Sequence, residues 1–390
     1  MNRTPALASS VLAVLGALAT AVTGCKTGDP FPGADAAATD AVVLDAGPDA
    51  VMPDANPACV PGPDDYRPEA GSINDTWPAC ISDDGEYHPF DVSISTVARV
   101  GAYEAIAGLL FTGVAPAPSA FTDARVQYAL DGGLESRVSR REDEHYPPAM
   151  KAGLPVACNT LDPMLAEDAA ILAANRDRCV GPMVLQPLLN QAFATGQIAT
   201  AAPRVRRLAA AQIEGALLRF LYTSVHKEAI TCTSVQRDCD SMYAYYTGGQ
   251  PRSGGLGLAR AVRGLDLEAH DRVWDGILGA RCWRDLDNPA GVAMDLALRD
   301  RAIGQLDAAL LRGVAVLVLD RVGRLATSSG DERAAHWELL RVLGPTLVRE
   351  AGVRAPDRAA VMNAELGKTD PATVDAEALR AAIAGTFPCP

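Results

Sequence analysis

Between Pro203 and Ile230 the chain reads PRVRRLAAAQIEGALLRFLYTSVHKEAI, with no proline after its first residue. At about 100° per residue this stretch is apolar around much of its circumference, so it cannot lie on a surface with one side wet. It must be a central helix wrapped by other elements, and that requirement directs the reading of the rest. STVARVGAYEAIAGLLF, LDLEAHDRVWDGILGARCWRDLD and RDRAIGQLDAALLRGVAVLVLDRVGRL carry apolar residues at three- and four-residue spacing. LDPMLAEDAAILAAN and TDPATVDAEALRAAIAG open on Asp162–Pro163 and Asp370–Pro371, an N-cap followed by proline at the first helical position, and the second stops at Gly385. The pattern gives about nine to eleven helices joined by Gly/Pro/Asn turns and no convincing run of alternating strands. The expected class is all-α: a multi-helix bundle over residues 76–390, as one body or two packed halves. LLRGVAVLVL falls far short of the ~20 apolar residues that span a bilayer and is expected in the core.

The first 75 residues follow other rules. MNRTPALASSVLAVLGALATAVTGC has one positive charge at Arg3, an uncharged apolar run from Ala6 to Val22 and small residues before Cys25. This is the layout of an export signal, here residues 1–24, rather than a permanent span. VTGC resembles the bacterial lipoprotein lipobox. The resemblance implies cleavage before Cys25, lipid on its sulfur and amine, and stable membrane attachment through several acyl chains, palmitate among them. Residues 26–75 hold ten acids against Lys26 and Arg67, eight of the thirteen net negative charges of the chain. Alanine, proline and glycine fill much of the remainder, so residues 25–75 are expected to form a disordered tether behind the lipidated terminus. Its acidity disfavours nucleic acid and anionic lipid as partners of the tether.

Eight cysteines remain after Cys25: Cys59, Cys80, Cys158, Cys179, Cys232, Cys239, Cys282 and Cys389. An even number in an exported chain indicates disulfides. Pairing neighbours gives 59–80, 158–179, 232–239 and 282–389. No paired CxxC motif suggests a zinc ribbon.

The candidate metal ligands lie on helical faces. Glu214 and Glu228 share the leucine stripe of the central helix with Leu217, Leu218, Leu221 and Val225. Glu104 lies on the apolar face of its own helix, and His270 shares a face with Trp274, Ile277 and Arg281. Glutamates from separate helices with a histidine are a set that bundles use for iron or manganese, and zinc accepts the same donors. Because Glu214 and Glu228 are ~21 Å apart along one helix, at most one serves a given site. The competing expectation is that these carboxylates pair with arginines on the same faces, such as Arg207 or Arg281. His226 falls about 160° from Glu228, so the two cannot share an ion while the helix is intact. REDEHYPP places Glu142 and His145 three residues apart, a di-iron spacing. Its crowded charges and two prolines instead suggest a solvated acidic loop.

The stretch from His226 to Gly249, HKEAITC followed by DSMYAYYTGG, resembles a segment of imelysin-like and algal iron-assimilation proteins. The resemblance implies an exported helical protein linked to iron uptake. That pattern is Gly-x-His-x-x-Glu; here Ser224 stands for the glycine and Glu228 follows His226 by two residues rather than three. Other chemistries lack their signatures. There is no Gly-x-Ser-x-Gly elbow and no His-Glu-x-x-His. RSGGLGLARAV lacks the Lys-Ser/Thr of a phosphate loop and is expected to be an interhelical turn. Tyr243, Tyr245 and Tyr246 are expected to pack the Cys232–Cys239 loop onto the body rather than to stack on a ligand. Basic residues are scattered, which disfavours nucleic acid.

The expected protein is a lipoprotein of a Gram-negative-type envelope, periplasmic or at the outer membrane or cell surface, held to the membrane through Cys25. Its all-α domain is expected to bind rather than catalyse, with iron, manganese or zinc as the sharpest ligand class. A structural or protein-interaction lipoprotein with an envelope partner is the alternative, and an extracellular enzyme ranks last.

Overall fold

A computed structural model describes residues 61–68 and 76–387. Cys59, Cys389 and the Cys25 anchor lie outside the described residues. Among the described residues fourteen α-helices follow in chain order: α1 (Thr96–Leu110), α2 (Pro118–Ala129), α3 (Glu135–Val138), α4 (Ala166–Ala174), α5 (Gln186–Gln197), α6 (Pro203–Thr231) and α7 (Arg237–Thr247), then α8 (Leu258–Arg263), α9 (Leu267–Leu286), α10 (Leu296–Thr327), α11 (Gly330–Leu343), α12 (Pro345–Arg354), α13 (Pro356–Leu366) and α14 (Ala376–Thr386). The strands described are β1 (Met150–Lys151) and β2 (Leu154–Pro155), an antiparallel hairpin two residues long on each side. The fold is all-α and disulfide-stabilised, with more and shorter helices than expected.

The central helix is α6. Every residue from Gly215 to His226 is buried, more than three consecutive turns, so neighbours cover it on all sides. α5, α7, α10 and α11 supply that cover. Two glycines allow the closest approaches: a Cβ on Gly215 would stand 3.0 Å from the Leu339 carbonyl of α11, and one on Gly276 of α9 would stand 2.7 Å from Leu306 Cα of α10. The second contact seats α10 against α9 one residue before Asp307. The expected core run Leu310–Leu319 lies in α10. That helix is long and apolar enough to cross a membrane, but 67% of its most apolar stretch is buried inside the fold.

Both Asp-Pro starts are corrected. α4 begins at Ala166, and Asp162 instead accepts from Met164 N and donates its own N–H to Asp168. Asp370 caps a short 3-10 turn, whereas α14 is capped by Asp375 from Ala378 N and runs one residue past Gly385. In both places a nearby carboxylate provides the competing local hydrogen bond.

The tether boundary is corrected as well. Residues 61–68 of the expected tether pack onto the body. Tyr66 is fully buried; its backbone exchanges hydrogen bonds with the Gln305 side chain, and its hydroxyl donates to Asp83 at 2.9 Å. Trp77 packs edge-on against Tyr66, with the Arg301 guanidinium over its ring. This segment runs along α9 and α10, and so the neighbour pairing of Cys80 fails. Cys80 is bonded to Cys282 of α9, across 202 residues of sequence, which rules out both the expected 59–80 and the expected 282–389 bridge. Pairs 158–179 and 232–239 match the expectation. Two aromatic residues buried on the helices outweigh proximity along the chain.

Peptide mapping without reduction should recover Cys80 linked to Cys282. Replacing both by serine should lower unfolding stability by roughly 2–5 kcal/mol, read from denaturant midpoints. A Cys59–Cys80 peptide would contradict this arrangement.

Candidate metal centre

The four residues expected to hold a metal do not converge. Glu104 accepts from Gly257 N at 2.6 Å and pairs with Arg260; Glu214 pairs with Arg321 at 2.6 Å. Glu228 pairs with Arg141 at 3.0 Å. His270, fully buried, lies between the Tyr246 hydroxyl at 3.2 Å and the Arg252 carbonyl at 2.9 Å. Each is already committed to a protein partner. Arg207 and Arg281, the expected partners, bind the carbonyls of Gly113 and His88 instead. The three tyrosines are packing residues: Tyr243 stacks on Tyr87, Tyr245 meets Phe220 edge-on, and Tyr246 lies on His270.

A different set comes together around REDEHYPP, which is not a solvated loop. Arg141, Glu142 and Asp143 are buried. Arg141 reaches Glu228 of α6 and lies over the rings of Phe220 and Tyr245. Arg178 binds Glu142 at 2.8 Å and Glu144 at 2.7 Å, while Glu142 also accepts from Cys158 N at 2.8 Å. The Cys158–Cys179 disulfide thus stands directly behind the segment. On its other side Gly181 donates to the Arg141 carbonyl at 2.8 Å, and a Cβ there would come within 2.2 Å of the Val138 carbonyl. Charges on α6 and at Arg178 pair with those of the loop, which is what makes its burial tolerable.

The clamp fixes His145. Its Nδ1 lies 2.6 Å from Asp143 Oδ1 and its Nε2 3.0 Å from Asp307 Oδ1 of α10. Its ring stacks on that of His226 with 3.7 Å between centroids. Tyr222, one turn before His226 on α6, places its hydroxyl 3.4 Å from both His145 Nε2 and Asp307 Oδ1. One donor atom from each of His145, His226 and Asp307 lies within 4.8 Å of the other two. His226 Nδ1 is buried with no hydrogen-bond partner among the described residues. Asp307 keeps 19% of its side chain exposed, an opening toward solvent.

The two imidazoles are driven apart in proton affinity. Burial pushes His145 down, but Asp307 and Asp143 override it and raise its pKa to about 9. His226 has no such partner: burial and the neighbouring His145 lower it to about 3. Burial opposes ionisation of Asp307, yet the histidines hold it well below the usual carboxylate range. Burial, with Asp307, holds the Tyr222 phenol well above its ordinary value. The centre is therefore an imidazolium between two carboxylates, beside a neutral histidine with an unspent nitrogen.

Two histidines and a carboxylate are a donor set for iron, manganese or zinc. The residues fit such an ion. Ligands at ~2.1 Å from a tetrahedral ion stand roughly 3.4 Å apart, so small side-chain movements would close the triangle. Asp143 would remain on Nδ1 of His145, the outer carboxylate that orients many metal-bound histidines. Sequence spacing hid this set because its members come from a loop, α6 and α10. The traces available were the pairing of Tyr222 with His226 one turn apart on the central helix, and the scarcity of histidine, five in the chain. Compared with protein-family models, with curated proteins and with solved structures, the chain has no match.

In the metal-free chain the histidines give opposite pH slopes. His145, raised above its unfolded value near 6.5, contributes stability below that value which is lost as pH rises through about 9. His226, depressed, leaves the unfolded chain to gain a proton that the fold excludes, so stability falls as pH drops from about 6.5 toward 3. In denaturant titrations the stability difference between the wild type and His226→Asn should shift against the wild type as pH falls from 6.5 to 4. A pH-independent difference would show that His226 titrates normally.

Proposed function

We propose that this domain binds a first-row transition-metal ion through His145, His226 and Asp307, as the cargo-binding part of an exported, lipid-anchored protein. The observation that carries the reading is the convergence of two histidines and an aspartate from three distant segments, one imidazole nitrogen being buried without a partner. A buried polar atom left unsatisfied costs about 1–3 kcal/mol, and a ligand that takes it up recovers that cost. Iron is the favoured ion. Tyr222 can add a hard oxygen beside the aspartate, and the segment His226–Gly249 resembles part of exported iron-uptake proteins. A bound hydrogen on His145 would leave as the ion enters, so affinity should rise with pH.

The second reading is that Asp143, His145 and Asp307 form a hydrogen-bonded ion cluster that fastens the loop to α10. It is favoured by the two short contacts that His145 already makes. Metal titrations of the full chain, followed by calorimetry and elemental analysis, separate the two. The metal reading expects one ion per chain, removable by chelator, with affinity lowered more than ~100-fold by His226→Ala or Asp307→Asn and roughly 10–100-fold by Asp143→Asn. His226→Ala should leave the helical circular-dichroism spectrum intact. Absence of binding by iron, manganese and zinc would leave the ion cluster as the explanation.

The export and anchoring part of the proposal rests on residues 1–25 and is supported by the three disulfides of the body, which suit an oxidising compartment. Intact-mass analysis should show a chain beginning at an acylated Cys25. Cys25→Ala should move the protein from the membrane pellet to the soluble fraction, and retention in the pellet would contradict the anchor.

A further inference from the structure

The inner face of α6 carries one more charged group, and no partner accounts for it. Arg219, Tyr222 and His226 recur at i, i+3 and i+7 and so lie along one side of the helix, toward the His145 loop. Arg219 is 8% exposed. Other buried or half-buried guanidiniums nearby are spent: Arg141 on Glu228, and Arg178 on Glu142 and Glu144. Arg284, fully buried, donates to the carbonyls of Cys232, Asp287, Asn288 and Gly291. Arg219 has no ion pair and no side-chain hydrogen bond among the described residues. The acid that most affects it is Asp143, followed by Tyr146 and Asp177, which places its guanidinium beside the candidate centre. Burial without a partner holds its proton affinity below the ordinary arginine range. Five N–H donors in a fixed fork, on a residue 8% exposed and without a protein acceptor among the described residues, are available to a ligand.

A second cation acts on the same groups. Arg349 of α12 is close enough to act on Tyr222, Asp307 and Asp143, although it also touches its neighbour Glu350 at 3.2 Å. Charge bookkeeping then points one way. Asp143 and Asp307 supply two negative charges to the centre, and a divalent ion would neutralise both. Arg219 would then keep only Asp177 as an acid acting on it, without an ion pair, and a trivalent ion would leave a larger positive excess. Three protein donors also leave coordination positions open.

We propose that the metal centre binds its ion together with an oxyanion, a carboxylate, carbonate or phosphate group seated on the Arg219 guanidinium and completing the coordination of the metal. The inference rests on the metal reading above and deepens it. The cargo is a metal–anion pair rather than a bare ion, and the fork geometry of Arg219 selects planar or tetrahedral oxyanions that can accept two parallel hydrogen bonds. The anion either joins from solution or arrives already chelating the ion.

The test uses the full chain in a non-coordinating buffer. Zinc and manganese are titrated with no added anion, with bicarbonate, with phosphate and with citrate, and the anion retained per metal is measured after gel filtration. The wild type should bind metal at least about 10-fold more tightly with one of these anions and retain one anion per ion. Arg219→Gln should bind the metal alone within about 3-fold of wild type but lose the gain from the anion. Arg219→Lys, which keeps the charge without the fork, should recover part of it, showing that the variants are folded. A gain with bicarbonate or phosphate identifies an anion recruited from solution. Retention of citrate alone identifies a chelate carried with the metal. Metal binding that is indifferent to all the anions, or equally enhanced in Arg219→Gln, overturns the inference and leaves the metal centre standing. Binding of phosphate by the metal-free wild type but not by Arg219→Gln, with no metal bound, would retain the anion subsite and refute the metal reading.

Discussion

The burial of α6 on every side is the constraint from which the remainder of the structure follows. A helix with twelve consecutive buried residues, Gly215 to His226, cannot expose its polar groups, so each needs a partner inside the protein. Thr223 and Ser224 turn their hydroxyls back onto the carbonyls of Arg219 and Phe220. Glu214 and Glu228 take arginines from other segments. His226 and Arg219 are the exceptions, and both lie on the side that meets the His145 loop.

That loop is costly to bury, and its attachments show how the cost is met. Three of its charges are matched by charges on α6 and on the segment before α5, the Cys158–Cys179 bond lies behind it, and Gly181 lets backbone pack against backbone. Those contacts hold the segment that carries His145 between Asp143 and Asp307. The difference in proton affinity of the stacked histidines has the same origin: one has carboxylates on both ring nitrogens and the other has none. Low dielectric and fixed partners thus give two identical side chains opposite behaviour. If the centre binds an ion as proposed, a clamped loop and two long helices would lose little further order on binding it.

The glutamates on the apolar faces show why a reading of single helices goes astray. Glu104, Glu214 and Glu228 lie on apolar helical faces, and burial there demands a compensating charge. The helical wheel does not reveal what lies opposite. Arg260, Arg321 and Arg141 do so here, each far away in sequence, and a carboxylate with an arginine in contact has no need of a metal. His145 erred in the opposite direction. A charged, proline-flanked string looks solvated when read alone, because its mutual pairing with Arg178 becomes visible only once the chain has folded.

The sequence by itself determined the helical class, the position of the central helix to within one residue, the core run in α10 and the two short-range disulfides, because periodicity and loop closure act over short distances. Tertiary structure alone decided the Cys80–Cys282 bond, the docking of residues 61–68 and the assembly of His145, His226 and Asp307. Those features depend on which surfaces meet after the helices pack, and contacts across 202 residues leave no local periodic signal in the chain.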